Sequence, residues 1–292
     1  LVQKTKELKK YQEEPSPKED LEKIPMLKRE DIRKEAEEPV FEELKIEEIP
    51  VIRHSMFSGG IGYLKVLFNT NRVCQEDLPY VGLLKSVLGY VSTGRHSYAD
   101  LTTEIFLNSG GVTFGVTSYP DLRTGGFTGV FAASVRVLYE KLDFGFEILS
   151  EIFTESILDD QKRLKEILDE AKSKAQMKLL NGGHSATVAR ATSYFSDTSY
   201  YNDMTGGIGY YEFLEGCVRD FDGKKEEIIA GLRRVMGQLF VRENMVVSYT
   251  ADNKGFARLP DAMKKLADSL PAGSGTVYGF RAPRENKNEG FT

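Results

Sequence analysis

Three histidines, two cysteines and a scatter of carboxylates are the residues of this 292-residue chain with the chemistry for catalysis or metal binding. A zinc hydrolase holds its ion with His, Cys and carboxylate ligands spaced so that two of them share one helix face. His54, His96 and His184 stand far apart, and none has a second His or Cys at helical spacing. Neither His-x-x-Glu-His nor His-Glu-x-x-His occurs. His96, beside Arg95, reads as solvent-facing. His184 follows Gly182-Gly183 and reads as a loop or capping residue, and His54 precedes the turn at Gly59-Gly60. Cys74 and Cys217 are too few for a disulfide framework or a cysteine zinc site, and read as small buried apolar groups suited to a reducing compartment.

Other constellations are equally bare. No Gly-x-Ser-x-Gly turn offers an esterase nucleophile. Gly207-Ile208-Gly209 hints at a phosphate loop but lacks the following Lys-Ser/Thr and the third glycine. The five Gly-Gly pairs read as turns and helix stops. Glu166 and Glu170, four residues apart, share a helix face with Lys162 and Lys174, the pattern of a surface ion-pair ladder. Tyr194, Tyr200, Tyr201, Tyr210 and Tyr211 cluster, and suit core packing better than an aromatic wall for a peptide groove.

The elements that would position these residues are easier to read. Residues 61–69 alternate, with Leu64, Val66 and Phe68 on one face, and predict a strand. Residues 77–91 predict a helix through Leu78, Val81, Leu84 and Leu88, with Pro79 in its first turn. Ser97 to Asp100 opens a second helix, which ends before Gly110-Gly111. Residues 112–119 and 127–138 predict a β-hairpin around the turn-rich 120–126. Leu142, Phe146, Leu149 and Phe153 form a helical stripe. Asp159 is expected to cap the long helix 160–180, which Asn181-Gly182-Gly183 stops. Shorter helices are expected at 185–195 and 210–218, a long one at 222–241, a strand at 245–250, a helix at 261–269 and a strand at 276–282.

Composition sets the class. The chain is 40% hydrophobic and 28% charged, as a folded globular protein is. A net charge of −5 argues against a nucleic-acid partner. No apolar run approaches the ~18 residues a membrane span needs. Residues 1–50 hold 11 basic and 15 acidic residues, so they carry −4 of that charge. Pro15, Pro17, Pro25 and Pro39 break their helices, and helical stretches are expected only near 2–13, 18–23 and 28–38. The expected division is a charged helical arm over 1–50, an α+β domain over 51–258 and the start of a further domain over 259–292. The fold class is α+β: a mostly antiparallel sheet with helices packed on one face.

Certain stretches also resemble a known family. Leu83-Leu84-Lys85-Ser86-Val87-Leu88, Thr93-Gly94-Arg95-His96-Ser97-Tyr98-Ala99-Asp100-Leu101 and Ser109-Gly110-Gly111-Val112 resemble the insulinase/pitrilysin zinc metallopeptidases, in the presequence-protease and falcilysin branch. Asn181-Gly182-Gly183-His184-Ser185, with Ala189-Arg190, and Gly206 through Leu214 resemble the noncatalytic half of that branch. The charged leader resembles the hairpin that joins the two halves.

The resemblance implies two similar halves closing around a chamber. The first half would carry His-x-x-Glu-His and a later Glu. Two His and that Glu hold zinc, and the motif Glu acts as base. Here the matching stretch is Val81-Gly82-Leu83-Leu84-Lys85. Val81 and Lys85 stand at the ligand positions and Leu84 at that of the base, while Glu170 lies on a suitable later helix. The resemblance therefore implies no catalytic or metal-binding residue in this chain and no cofactor of its own, with zinc in the other half. The implied partners are that catalytic half of the same polypeptide, which would supply the sheet edge for substrate, and unfolded peptides. The implied location is the cytoplasm or an organelle matrix. A structural subunit of the same fold without a peptidase role is the competing expectation.

Overall fold

The computed structural model describes residues 1–35, 38, 40–273, 275–285 and 287–290, and the chain divides into two compact units, Leu1–Pro39 and Val40–Thr292. In the first, α1 (Val2–Glu13) and α2 (Lys18–Leu21) bury no residue, so neither has an apolar face to hold it to a core. The helix expected over 28–38 shrinks to one 3₁₀ turn, Arg29–Asp31, because a short helix without packing is marginal in water. Ala36 and Glu37 of that stretch lie outside the described residues.

The second unit opens with three strands, β1 (Glu42–Ile46), β2 (Ile49–Ser55) and β3 (Ile61–Asn69). After α3 (Leu78–Val87) and α4 (Tyr98–Asn108) comes the expected hairpin, β4 (Val112–Pro120) and β5 (Phe127–Leu138). A run of helices follows: α5 (Leu142–Glu155), α6 (Gln161–Asn181), α7 (Gly183–Ser193), α8 (Asp197–Gly206), α9 (Ile208–Arg219) and α10 (Phe221–Leu239). The unit closes with β6 (Met245–Ala251), α11 (Asn253–Phe256) and α12 (Leu259–Ser269).

The sheet order is β1-β2-β6-β3-β5-β4, and every pairing is antiparallel except β2 with β6. Strand alternation decides which face is covered. Leu64, Val66 and Phe68 of β3, Phe131, Ala133, Val135 and Val137 of β5, and Val247 and Tyr249 of β6 are buried beneath helices. Their neighbours Tyr63, Lys65 and Arg136 lie exposed on the opposite face. Val66 sits opposite both Ala133 and Val247, which locks the register at the centre of the sheet. Phe68, Phe153 and Phe240 pack with ring centroids 4.3 to 5.3 Å apart and tie β3 to α5 and to the end of α10. The α+β class, with helices on one face of a mostly antiparallel sheet, is as expected.

Several expectations need correction. The sheet begins earlier than the alternation at 61–69 announces: β1 and β2 form a hairpin, and Ile49 and Val51 lie in the core. Helix α8 was not expected. The strand expected at 276–282 does not form; Phe280 instead packs on Phe127 and Tyr201, and the Tyr278 N–H donates to the Asn71 carbonyl at 2.7 Å. Leu259, Met263 and Leu266 of α12 are buried in the same core as α5. Asp160, not Asp159, caps α6, accepting from the Arg163 N–H, while Asp159 pairs with Arg233.

Candidate functional site

Helix α3, whose Val81–Lys85 stretch the resemblance sets against a zinc motif, is sealed. Val81 and Leu84 are fully buried hydrocarbon. Gly82 is the point of closest approach: a Cβ there would lie 2.7 Å from the Thr205 carbonyl oxygen and 2.9 Å from the Tyr210 ring. One turn on, the Lys85 ammonium donates to that same carbonyl at 2.8 Å and lies 5.0 Å from the centre of the Tyr210 ring. Lys178 of α6 donates to the next carbonyl, Gly206, at 3.2 Å. The two lysines thus satisfy carbonyls that the end of α8 leaves open and oppose the negative end of its dipole. Burial, with a smaller push from Lys178, lowers the Lys85 pKa to about 8.

The last turn of α8 also contributes an anion clamp, and here the glycine-rich hint finds its explanation. The Asp203 carboxylate is almost wholly buried and accepts from the backbone N–H of Ile208 at 2.9 Å and of Gly209 at 3.2 Å. Gly207-Ile208-Gly209 is therefore an anion cradle at the start of α9, but the anion is the chain's own aspartate. Cβ atoms at Gly207 and Gly209 would fall 2.6 and 2.8 Å from its oxygens. Arg190 of α7 completes the clamp, donating to Asp203 at 2.6 Å and through Nε and Nη2 to Glu289 at 2.8 and 3.1 Å. These bonds hold the Arg190 pKa well above its ordinary value and the Glu289 pKa well below the usual carboxylate range.

The histidines remain apart. His54 lies on β2 beside the Phe41 ring, and His184 is exposed on α7. His96 is not simply solvent-facing: its Nδ1 lies 2.8 Å from Oε1 of the buried Glu151, which also accepts from the Thr93 hydroxyl. Among the described residues no group of three His, Cys, Asp or Glu side chains could hold a metal ion.

The cysteines are poor nucleophiles. Cys217 is buried, which pushes its thiol up to about 11; burial and then Asp77 also raise that of Cys74. Glu170 pairs with Lys174 at 2.5 Å on the surface of α6. Glu166 pairs with Arg163, not with Lys162. Of the tyrosines, Tyr201 and Tyr210 are core residues.

The model of the family described as associated with peptidase M16, subfamily C, matches residues 1–216. This chain belongs to that family. The expected membership in the insulinase/pitrilysin group is met.

This member of the peptidase M16 associated family is 30% identical to Protein HypA of Clostridium perfringens (strain 13 / Type A) over 292 residues, all of this chain and 30% of that protein. It is 27% identical to Presequence protease 1, chloroplastic/mitochondrial, of Arabidopsis thaliana, covering 98% of this chain and 27% of the relative. The chain thus spans less than a third of the length of either. A solved structure described as the peptidase M16 inactive domain from Pseudomonas fluorescens superposes with a TM-score of 0.57 over 82% of this chain and 53% of that one, at 15% identity, and shows the shared fold.

The residues that organise the site in this peptidase M16 associated chain are Arg190, Asp203 and Lys178 beside Lys85. In the sequence Arg190 stands out only as part of a family-like stretch. Asp203, a carboxylate shortly ahead of a glycine pair that opens a helix, carried a readable but weak signal.

Proposed function

We propose that this chain is a noncatalytic wall of a two-part zinc peptidase, enclosing unfolded peptides while the other half of the same polypeptide hydrolyses them. One observation carries this reading. The α3 surface that would hold the metal is committed to structure: hydrocarbon at Val81 and Leu84, and an ammonium tied to Thr205 at Lys85. Zinc needs deprotonated lone-pair donors, and a cation beside it would repel it, so this donor set does not fit the ion. No step of hydrolysis is assigned to these residues. The helices and sheet around them are intact, which is what a wall requires.

Relatives named presequence proteases match most of the chain's length at 21–27% identity. Their names place them in mitochondria or chloroplasts, and we extend an organelle-matrix or cytoplasmic setting to this chain. Both cysteines are free, in keeping with a reducing compartment. No described helix is long and apolar enough to cross a membrane.

The test is direct. The purified chain is incubated with zinc, desalted and analysed for metal, then given an unstructured peptide. The reading expects neither stoichiometric zinc nor cleavage. Bound zinc that disappears on changing His54, His96 or His184, or digestion of the peptide by this chain unaided, would overturn it.

A further inference from the structure

A second, unassigned feature lies on the open side of the sheet. Where β3 and β5 meet the end of α4, a cavity of ≈ 440 Å³ is lined by Ile61, Tyr63, Leu107 and Leu138 and by two cations, Arg136 and Lys141. No aspartate or glutamate lines it. Sheet register builds the site. Arg136 sits directly opposite Tyr63, and Leu138 opposite Ile61, so the four side chains share one face in two rungs. Gly110 fixes the cation: its N–H donates to the Arg136 carbonyl at 2.7 Å, and its carbonyl accepts from Arg136 Nη2 at 2.8 Å. The guanidinium is thus anchored by one donor and keeps the rest of its fork unspent. Lys141 reaches only the neutral Asn108 side chain, Nζ to Oδ1 at 3.0 Å.

Most other arginines and lysines of the helical layer face a carboxylate, as Arg234 does Asp77 and Arg190 does Asp203. Arg136 and Lys141 have no carboxylate within ion-pair distance among the described residues. Glu104, the nearest acid in the hydrogen-bond network, spends an oxygen on the far side of the Asn108 amide. The C-terminal end of α4 adds about half a negative charge, which leaves the pair of cations in excess. Fixed, uncompensated positive charge against exposed hydrocarbon is the complement of an anion with an apolar substituent. A guanidinium with a free fork suits a planar carboxylate in particular. Tyr63, Leu107 and Leu138 are 43%, 73% and 56% exposed, so hydrocarbon is available beside the charge.

We propose that this cavity is a carboxylate site that takes a monocarboxylate bearing an apolar group, as a peptide does when it ends in a large aliphatic or aromatic residue. The site stands on the chemistry of its lining and does not depend on the peptidase reading.

The full chain is titrated by fluorescence anisotropy with labelled hexapeptides ending in leucine, either as the free acid or as the amide, and in parallel with octanoate as competitor. The acid is expected to bind at least tenfold more tightly than the amide. Arg136→Gln and Lys141→Gln, both surface changes, are each expected to remove most of that difference, and Leu138→Ser to weaken the acid alone. The preference should also shrink with added salt. Octanoate binding detected directly by titration calorimetry, without binding of the peptide acid, would keep the carboxylate site and assign it to a free fatty acid. Equal binding of acid and amide, or an acid preference unchanged in Arg136→Gln and in Lys141→Gln with the unfolding midpoint preserved, would overturn the proposal.

Discussion

Arg234 of α10 grips Asp77, just ahead of α3, fork on fork: Nε to Oδ2 and Nη2 to Oδ1, each at 2.6 Å. Asp77 is 5% exposed, and the guanidinium beside it holds its carboxyl below the usual range. Its folded pKa therefore lies below the unfolded value of about 3.9. The pair's contribution is present above that value and lost as pH falls through the folded one. Arg234→Met is expected to cost about 2 kcal/mol at pH 7, less than a fully buried pair because Arg234 is half exposed. Urea unfolding of both proteins from pH 7 to pH 3 should show the gap closing below pH 4.

The Asp203 clamp carries a larger share of stability. Asp203→Ala leaves two helix-end N–H groups and a face of Arg190 without their acceptor. The expected loss is about 3 kcal/mol. Glu212 is the control: it lies 3.6 Å from the same guanidinium but is half exposed, so Glu212→Gln should change stability by less than about 0.5 kcal/mol. Equal losses in the two variants would contradict the geometry.

Lys85 gives the opposite pH signature. Its folded pKa is about 8, against an unfolded value near 10.4. Between those values the unfolded chain binds more protons, so stability rises with pH there, and the penalty of the buried charge is fully present below pH 8. Relative to Lys85→Met, the wild-type chain should gain up to about 3 kcal/mol from pH 8 to pH 10.5. Denaturant midpoints of the two proteins measured in parallel across that range check this.

Gly231 tests the seam between α10 and α3. An alanine in a helix interior usually gains about 1 kcal/mol over glycine. Here a Cβ would stand 2.4 Å from the Tyr80 ring, which itself packs edge-on against Phe213. Gly231→Ala is expected to lose about 1–3 kcal/mol instead. Tyr80→Leu combined with Gly231→Ala should recover part of the loss, as a double-mutant cycle in unfolding free energy would show.

Long periodic elements were legible because burial drives their pattern. The stripe Leu164, Ile167, Leu168 and Ala171 of α6, and the alternation of β3, each match a buried face. The β1–β2 hairpin was not, because its turn is Glu47-Glu48, with φ of 49° and 69°. Left-handed turn positions are normally advertised by Asn or Gly, and two glutamates give no such signal. Helix α8 hid for a related reason: it buries Tyr201, Asp203 and Thr205, and a buried aspartate breaks the hydrophobic period. The false strand at 276–282 alternates like a true one, but Phe280 is held by aromatic packing rather than a ladder. At the site, hydrocarbon at Val81 and Leu84 and a cation at Lys85, in place of metal ligands, could be read in the sequence. The service Lys85 performs for α8 could not, since α8 itself was unread.

The sheet's two borders differ in character. Strand β1 carries Glu42, Glu43 and Lys45, whereas β4, which among the described residues pairs only with β5, holds no charged residue from Val112 to Pro120. Charged side chains guard the first border against self-association, while the second offers a run of unguarded ladder. When the chain is concentrated by itself, solubility will be governed there, and Thr113→Lys or Thr117→Lys is the change that should extend its shelf life in solution.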